Sequence, residues 1–328
     1  ARTSPDEKTL IFHAAGYLYK KTLPNGTPER LTAATDVFEY EPTFSPDGKF
    51  LLYTTWNDSL TGSIRKLNLT NNSVETLTTE KGFYQTPAFS PDGTKIVYRK
   101  GTGNGYMGYA FGKEPGLYLM PATGGEGTLL RDSGEEPLFN ATGDRIFFLE
   151  DGQTKSFKSV TLSNTDEQTH FSSQYATKFV PSPDNKWIAF QELFHLYIAA
   201  FPATGKAVDL SGNTKAFPVY KVTRDAGDYL HWSNDSQKLH WTIGPDYFTR
   251  SVQQSFLFVE GAPEKLPAID STGIPIGLTL PTDVPKGMVA FKGGTILTMK
   301  ENAQGQLEVI KNGTLVVEGN KIVAVGAA

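Results

Sequence analysis

Apolar and polar positions alternate in short bursts along most of the chain, and the bursts recur in phase. The clearest reads Phe44-Ser45-Pro46-Asp47-Gly48-Lys49-Phe50-Leu51-Leu52-Tyr53, and a near-duplicate follows at Phe89-Ser90-Pro91-Asp92-Gly93-Thr94-Lys95-Ile96-Val97-Tyr98. Weaker copies start at Ser4, Asn140, Ser182 and Ser233. Six residues after each start, counted from Ser4, Ser45, Ser90, Asn140, Ser182 and Ser233, stands an aliphatic residue: Leu10, Leu51, Ile96, Ile146, Ile188 and Leu239. Eight residues after it stands an aromatic: Phe12, Tyr53, Tyr98, Phe148, Phe190 and Trp241. Apolar residues at period two predict a half-buried strand. The Pro-Asp-Gly before it is turn chemistry, because proline presets φ, aspartate bonds nearby N–H groups and glycine accepts positive φ. Each copy therefore predicts strand, tight turn, strand.

A second apolar–turn–apolar unit follows each core. The units are Gly16–Tyr19 with 29–32, Ser63–Leu69 with 74–77, Gly116–Met120 with 129–130, Phe157–Leu162 with 168–171, and His195–Ala200 with 207–210. Two hairpins per repeat predict a four-stranded antiparallel sheet. The sixth copy is followed by an untidy stretch, 247–264, whose one expected strand is Phe256–Val259. The starts lie 41, 45, 50, 42 and 51 residues apart. Four short strands at such a period predict an all-β propeller of six or more blades, because one small sheet cannot bury both faces alone.

The pattern then changes. Residues 266–285 are rich in Pro, Gly and Thr and predict a linker. Beyond it, 288–291, 295–299, 307–310 and 314–326 read as tight strands joined at Gly293-Gly294, Asn312-Gly313 and Gly319-Asn320. Three segments are thus expected: a propeller over 1–265, a linker over 266–285, and an incomplete β-sandwich over 286–328 to be completed by protein outside this chain. The leading strand of the first repeat is expected to be missing, with the chain cut at its N-terminus, so the absent signal peptide carries no information on export.

Composition narrows the partners. Aromatics at 12 % with 32 glycines and 20 prolines suit a strand-and-turn protein. A formal charge of −4 argues against nucleic acid, whose phosphates require a basic field. No apolar run reaches the roughly 18 residues of a membrane span. The lack of cysteine excludes disulfides, thiolate metal sites and a cysteine nucleophile.

Candidate chemistry is sparse. His13, His170, His195, His231 and His240 are neither spaced as a local metal pair nor repeated in a column, and read as ordinary strand or surface histidines. Glu135-Glu136 could hold an amine or a cation but reads as an exposed loop pair. Asp47, Asp92, Asp184 and Asp235 sit in equivalent turns and are each expected to hold their own turn. Trp56, Trp187, Trp232 and Trp241 could line a sugar-binding surface, with packing between sheets the better reading. The loop 101–112, rich in Gly and Tyr, lacks the Lys-Ser/Thr of a phosphate loop and reads as a surface loop, with reach over the propeller toward a ligand as the alternative. No Gly-x-Ser-x-Gly elbow occurs, which argues against a serine peptidase. No residue of this chain is assigned a catalytic, cofactor or metal role.

The Ser-Pro-Asp-Gly-Lys phrase with its Ile-Val-Tyr strand resembles the blades of TolB-like propellers, the WD40-like PD40 repeat, over about residues 1–260. The fourth copy departs from it with Thr142-Gly143-Asp144 and the sixth with Asn234-Asp235-Ser236, where less regular turns are expected. The tail, Gly294–Met299 and Ile310–Gly326, is similar to the opening of metal-dependent amidohydrolases. That resemblance implies a small β-sandwich and a catalytic barrel with a His-x-His metal pair beyond Ala328. It implies a divalent metal (zinc) in that barrel, hydrolysis of C–N or related bonds, and a small-molecule or peptide substrate. The remainder of that polypeptide would be the partner, in a bacterial periplasmic or secreted protein. The alternative is a non-catalytic periplasmic TolB-like propeller. A propeller lyase acting on oligosaccharides with a histidine-bound metal is weaker, because the histidines are scattered.

Overall fold

The computed structural model describes residues 1–103, 112–202, 204–282, 284 and 286–327. They divide into two compact units, Ala1–Leu278 and Thr279–Ala328. Among the described residues every regular element is a β-strand, and no helix is long and apolar enough to cross a membrane.

The repeated turn sets the local structure. In the second copy the Ser45 hydroxyl donates to Asp47 Oδ1 at 2.6 Å and accepts the Phe50 N–H at 2.9 Å. Asp47 Oδ1 accepts the Lys49 N–H at 3.1 Å, and Gly48 turns the chain at φ 70°. The same serine–aspartate bond recurs at Ser4–Asp6, Ser90–Asp92, Ser182–Asp184 and Ser233–Asp235. The fourth and sixth turns, expected to be less regular, keep this geometry. Asn140 Oδ1 replaces the serine oxygen, accepting the Arg145 N–H at 3.0 Å, and Ser236 takes the left-handed position at φ 63°. A short polar side chain fills either place, so the glycine is dispensable.

Six sheets follow in order. The first holds β1 (Arg2–Thr3), β2 (Thr9–Ala14), β3 (Tyr17–Thr22) and β4 (Glu29–Arg30). The second holds β5 (Phe38–Phe44), β6 (Phe50–Trp56), β7 (Ser63–Asn68) and β8 (Val74–Thr76). The third holds β9 (Tyr84–Phe89), β10 (Lys95–Lys100), β11 (Gly116–Pro121) and β12 (Thr128–Arg131). The fourth is β13 (Glu135–Phe139), β14 (Arg145–Glu150), β15 (Lys155–Thr161) and β16 (Gln168–Ser173). The fifth begins with β17 (Ala176–Pro181), β18 (Trp187–Glu192) and β19 (His195–Ala200). The sixth begins with β22 (Asp228–Trp232), β23 (Lys238–Ile243) and β24 (Asp246–Ser251).

The six aliphatic column residues are fully buried, and the aromatic column is at most 5 % exposed. They feed six apolar clusters, each lying between two consecutive sheets. Leu52 and Ile64 meet Ile96 and Tyr98; Val97 and Leu117 meet Ile146 and Phe148; Phe147 and Phe157 meet Phe179 and Phe190. Ile198 meets Leu239 and Trp241, and Ile11 meets Leu51 and Tyr53. The last cluster joins Leu10, Phe12 and Tyr19 of the first sheet to Tyr247 and Ile276 beside the sixth. First and last sheets therefore pack on each other as every other pair does.

Several sequence expectations are corrected. The leading strand of the first repeat is present as β1, pairing Arg2 with Ile11 and Thr3 with Leu10. Of 207–210, Val208–Asp209 (β20) adds in parallel to β16, and Val219–Lys221 (β21) completes the fifth sheet. Phe256–Val259 forms turns, not a strand, with Phe256 buried against Trp187. The sixth sheet is instead completed by β25 (Ile274–Pro275) on β24. For this reason the first unit runs on to Leu278, past the expected start of the linker at 266.

The second unit is one antiparallel sheet of β26 (Met288–Glu301), β27 (Leu307–Glu318) and β28 (Lys321–Ala327). The turns expected at Gly293-Gly294 and Asn312-Gly313 are irregularities inside long strands. Gly293 and Asn312 adopt φ 80° and 51°, Gly294 pairs with Gly313, and the register shifts on either side of that pair.

Candidate functional site

The first strands of the six sheets, β1, β5, β9, β13, β17 and β22, line one chamber of about 590 Å³. A second space of about 470 Å³ lies against the Ser-Pro-Asp turns. The two share Arg2, Thr43, Ala88, Leu138, Val180 and His231, one residue from each first strand. These six form a waist between an upper and a lower chamber.

The upper chamber owes its polar lining to a repeated backbone defect. The ladder between first and second strands shifts register in the second to sixth sheets, between Tyr40 and Thr43 in β5 and between Glu135 and Leu138 in β13, for example. At four of these bulges the residue stands in the left-handed region: Glu41 (φ 51°), Thr86 (46°), Glu136 (51°) and Tyr229 (55°). A bulge breaks the in–out alternation and re-aims a side chain. Glu41, Thr86, Glu136 and Tyr229 all line the chamber, joined by Lys178 at the shifted place in β17. A proline follows three of them, Pro42, Pro87 and Pro137. It lacks the N–H a regular ladder needs, so it fits the disrupted place.

The charges are mixed. Glu136 Oε2 pairs with Lys178 Nζ at 3.0 Å. Glu41 Oε2 accepts the Thr86 N–H at 2.5 Å and the Thr54 hydroxyl at 3.4 Å. Burial pushes the Glu41 carboxyl above its ordinary range; Glu136 adds to the rise, and the Thr86 N–H, Lys178 and Arg2 oppose it. Burial likewise pulls the Arg2 guanidinium down against the pull of Glu136 and Glu41, and its Nη1 donates to the Tyr229 carbonyl at 3.4 Å. Tyr40 and Phe83 are among the other lining residues, as is Tyr84, whose ring packs on Tyr98 in the core between the second and third sheets. His13 lies there too, its ring 5.3 Å from that of Tyr40 and its pKa lowered by burial.

The residues singled out from sequence scatter. His13 and His231 reach the chamber, and Glu136 does too, on strand β13 and not on the exposed loop expected for Glu135-Glu136. Glu135 pairs with Arg99 at 2.8 Å. His170 bonds Ser159 at 2.8 Å, but that serine is fully buried and also accepts from Arg145, which makes the pair a packing contact. His195 contacts Thr223 and Lys221 at the edge of the fifth sheet. His231 and His240 stack at 5.2 Å in the seam between first and last sheets. The four aspartates each hold their own turn. Trp232 and Trp241 are buried in a core cluster with Trp187 packed against it, whereas Trp56 meets Phe83 edge-on and donates to Asp58. Residues 104–111 of the Gly/Tyr loop lie outside the described residues. Among the described residues no group of three His, Asp or Glu side chains is placed to hold a metal ion.

No family model matches the chain, and no curated protein does. Solved structures do. TolB from Acinetobacter baumannii aligns at 16 % identity and a TM-score of 0.54, over 75 % of this chain and 58 % of that one. The fold is a TolB-like β-propeller. A protein assigned as TolB from Agrobacterium tumefaciens aligns at 18 % identity and a TM-score of 0.54, over 76 % of this chain and 87 % of that one. An oligogalacturonate lyase in complex with manganese aligns at 10 % identity and 0.52, over 73 % and 72 %. At such identities the likeness is one of fold. The aligned part spans less than two thirds of the Acinetobacter protein's length.

Proposed function

We propose that this chain is a ligand-binding propeller of six blades whose upper axial chamber is the binding site. The observation that carries this reading is the set of bulges that turns Glu41, Thr86, Glu136, Lys178 and Tyr229 toward one cavity. Left-handed, non-glycine residues in a strand cost conformational energy and cluster where a side chain must be aimed. The volume is that of a small-molecule site, with a mostly apolar wall and few polar groups.

A finer reading is suggested by the second unit. Met288, Phe291, Leu297, Met299, Ile322 and Val323 are each at least half exposed on its three strands. A three-stranded sheet with so much uncovered apolar surface is suited to completion by further strands. Together with the Gly294–Met299 and Ile310–Gly326 phrases, this supports the reading that the propeller belongs to a metal-dependent amidohydrolase of the bacterial periplasm or exterior. Its zinc and its hydrolytic barrel would lie outside this chain. The propeller would hold substrate or control access to that barrel, and none of its own residues would carry the chemistry. A second reading, a free-standing binding propeller, uses the same chamber and has no role for the exposed second sheet.

The test is retention of small molecules. Protein 1–328 incubated with a metabolite mixture and analysed by affinity-selection mass spectrometry should retain compounds that the waist-filling variant Thr43→Trp does not. Equal retention by both proteins would place binding elsewhere and overturn the reading.

A further inference from the structure

Among the charged groups of the upper chamber, Glu41 stands apart. Glu136 and Lys178 neutralise one another at 3.0 Å. Arg2 is engaged with the carbonyl of Tyr229. Glu41 has no cationic partner within 4.0 Å among the described residues, although a carboxylate lining a half-enclosed cavity is costly to leave unpaired. Its two hydrogen bonds, from the Thr86 N–H and the Thr54 hydroxyl, both fall on Oε2. Oε1 accepts none among the described residues. The neutral donors on Oε2 fix the carboxylate's orientation and leave the second oxygen free.

The surroundings favour a cation over any other occupant of that oxygen. Glu41 is the carboxylate of this chamber left without an ion pair among the described residues, with Lys178 and Arg2 acting on it only from beyond 4.0 Å, and Tyr40 and Phe83 line the same chamber. Aromatic faces attract ammonium and guanidinium groups, and the attraction grows when the cation is desolvated. Lys178 is already paired with Glu136 and Arg2 with the Tyr229 carbonyl, and burial holds the pKa of the Ala1 amine, which also lines the chamber, well below its ordinary value, so an anion finds no free cation there. A cation displaces nothing.

We propose that the upper chamber binds a small ligand bearing a protonated amine or guanidinium group, which donates to Glu41 Oε1 while its apolar part lies against Tyr40 and Phe83. The inference rests on the reading of this chamber as the binding site, and adds the charge and chemical class of what it holds. The strained backbone at φ 51° does not distinguish Glu41, since the bulge recurs at Thr86, Glu136 and Tyr229; the free oxygen and the unpaired charge do.

Three matched probes test it: benzylamine, benzyl alcohol and benzoate, titrated by saturation-transfer NMR into protein 1–328, Glu41→Gln and Thr43→Trp. Glutamine keeps an oxygen for the Thr86 N–H, so Glu41→Gln retains the fold. Benzylamine should bind wild type more tightly than the other two, and Glu41→Gln should weaken it about tenfold, the effect of losing one charge-assisted hydrogen bond. Benzoate or benzyl alcohol binding as well as benzylamine, with all binding lost in Thr43→Trp, would overturn the cation and leave the chamber as the site. The same holds if Glu41→Gln binds benzylamine undiminished. Absence of binding by all three probes would overturn both.

Discussion

The carboxylate of Glu41 accepts the backbone N–H of Thr86 2.5 Å away, so the bulge of one first strand is tied to the bulge of the next at the wall of the axial chamber. Burial raises the pKa of that carboxyl, which means the folded protein disfavours its charged form. For an acid with a raised folded pKa, the folded state holds its proton more tightly than the unfolded one. Stability is therefore lost as pH rises from 4.5, the ordinary value, through the folded pKa. Glu41→Gln removes the charge and keeps an acceptor for Thr86. At pH 7 the variant should melt higher than wild type, by on the order of 2 °C for a domain of this size. The gain should disappear below the ordinary carboxyl range. A melt lower than wild type at pH 7 would mean that the charge stabilises the fold.

The seam between first and last sheets makes the opposite pH prediction. His231 Nε2 accepts the Thr3 N–H at 3.0 Å, Thr3 bonds the Tyr247 hydroxyl at 3.0 Å, and that hydroxyl bonds His240 Nδ1 at 2.6 Å. Arg2, Lys238, Glu7, Asp235 and the Ala1 amine are the charged neighbours; Glu7 lies 4.0 Å from His240 Nε2. Burial holds the His240 pKa at about 4, with Lys238 adding to the fall, and holds His231 well below its ordinary value, with His240 adding to it. A histidine whose folded pKa is lowered gives stability that is complete above its ordinary 6.5 and is lost as pH falls toward the folded value. Melting temperature should decline between about pH 6.5 and 4, and His240→Gln should flatten that decline while lowering the melt at pH 7. An unchanged slope in the variant would assign the acid sensitivity to other groups.

The repeated turn should be worth as much in any sheet. Ser90 is buried, donates to Asp92 and accepts the Lys95 N–H at 2.9 Å. Ser90→Ala leaves that N–H unpaired and should cost about 1 to 2 kcal/mol in denaturant unfolding. Ser182→Ala, in a different sheet, should cost the same, and the double variant should show the sum. A strongly non-additive pair would mean that the two turns communicate.

The two compact units should be separable. Deleting 279–328 should leave the first unit's melting temperature within about 2 °C of the full chain, since each unit closes its own sheets. A large loss would make the second unit part of the propeller's stability.

Much of the propeller was legible in the sequence because its signals are local. The Ser-Pro-Asp-Gly phrase fixes a turn within six residues, and the strand after it shows its buried face at period two, as Leu51 and Tyr53 do. The candidate site was not legible, because its residues do not follow that period. Glu41 and Glu136 reach the chamber only where the ladder slips, and alternation says nothing about a slip. The available signal was the proline two places before the phenylalanine that opens each phrase, at Pro42, Pro87 and Pro137. Phe256–Val259 misled because four apolar residues in a row mimic a strand, when Phe256 is buried by stacking on Trp187 and the edge is taken by Ile274–Pro275. A two-residue strand more than 20 residues from its partner carries no periodicity to detect.

The position of a bound ligand decides whether the upper chamber is the binding site. Crystals of protein 1–328 soaked in benzylamine should show the ring against Tyr40 and Phe83 and the amine within hydrogen-bonding distance of Glu41 Oε1. Ordered benzylamine confined to the outer surface, with the upper chamber holding only solvent, would contradict it.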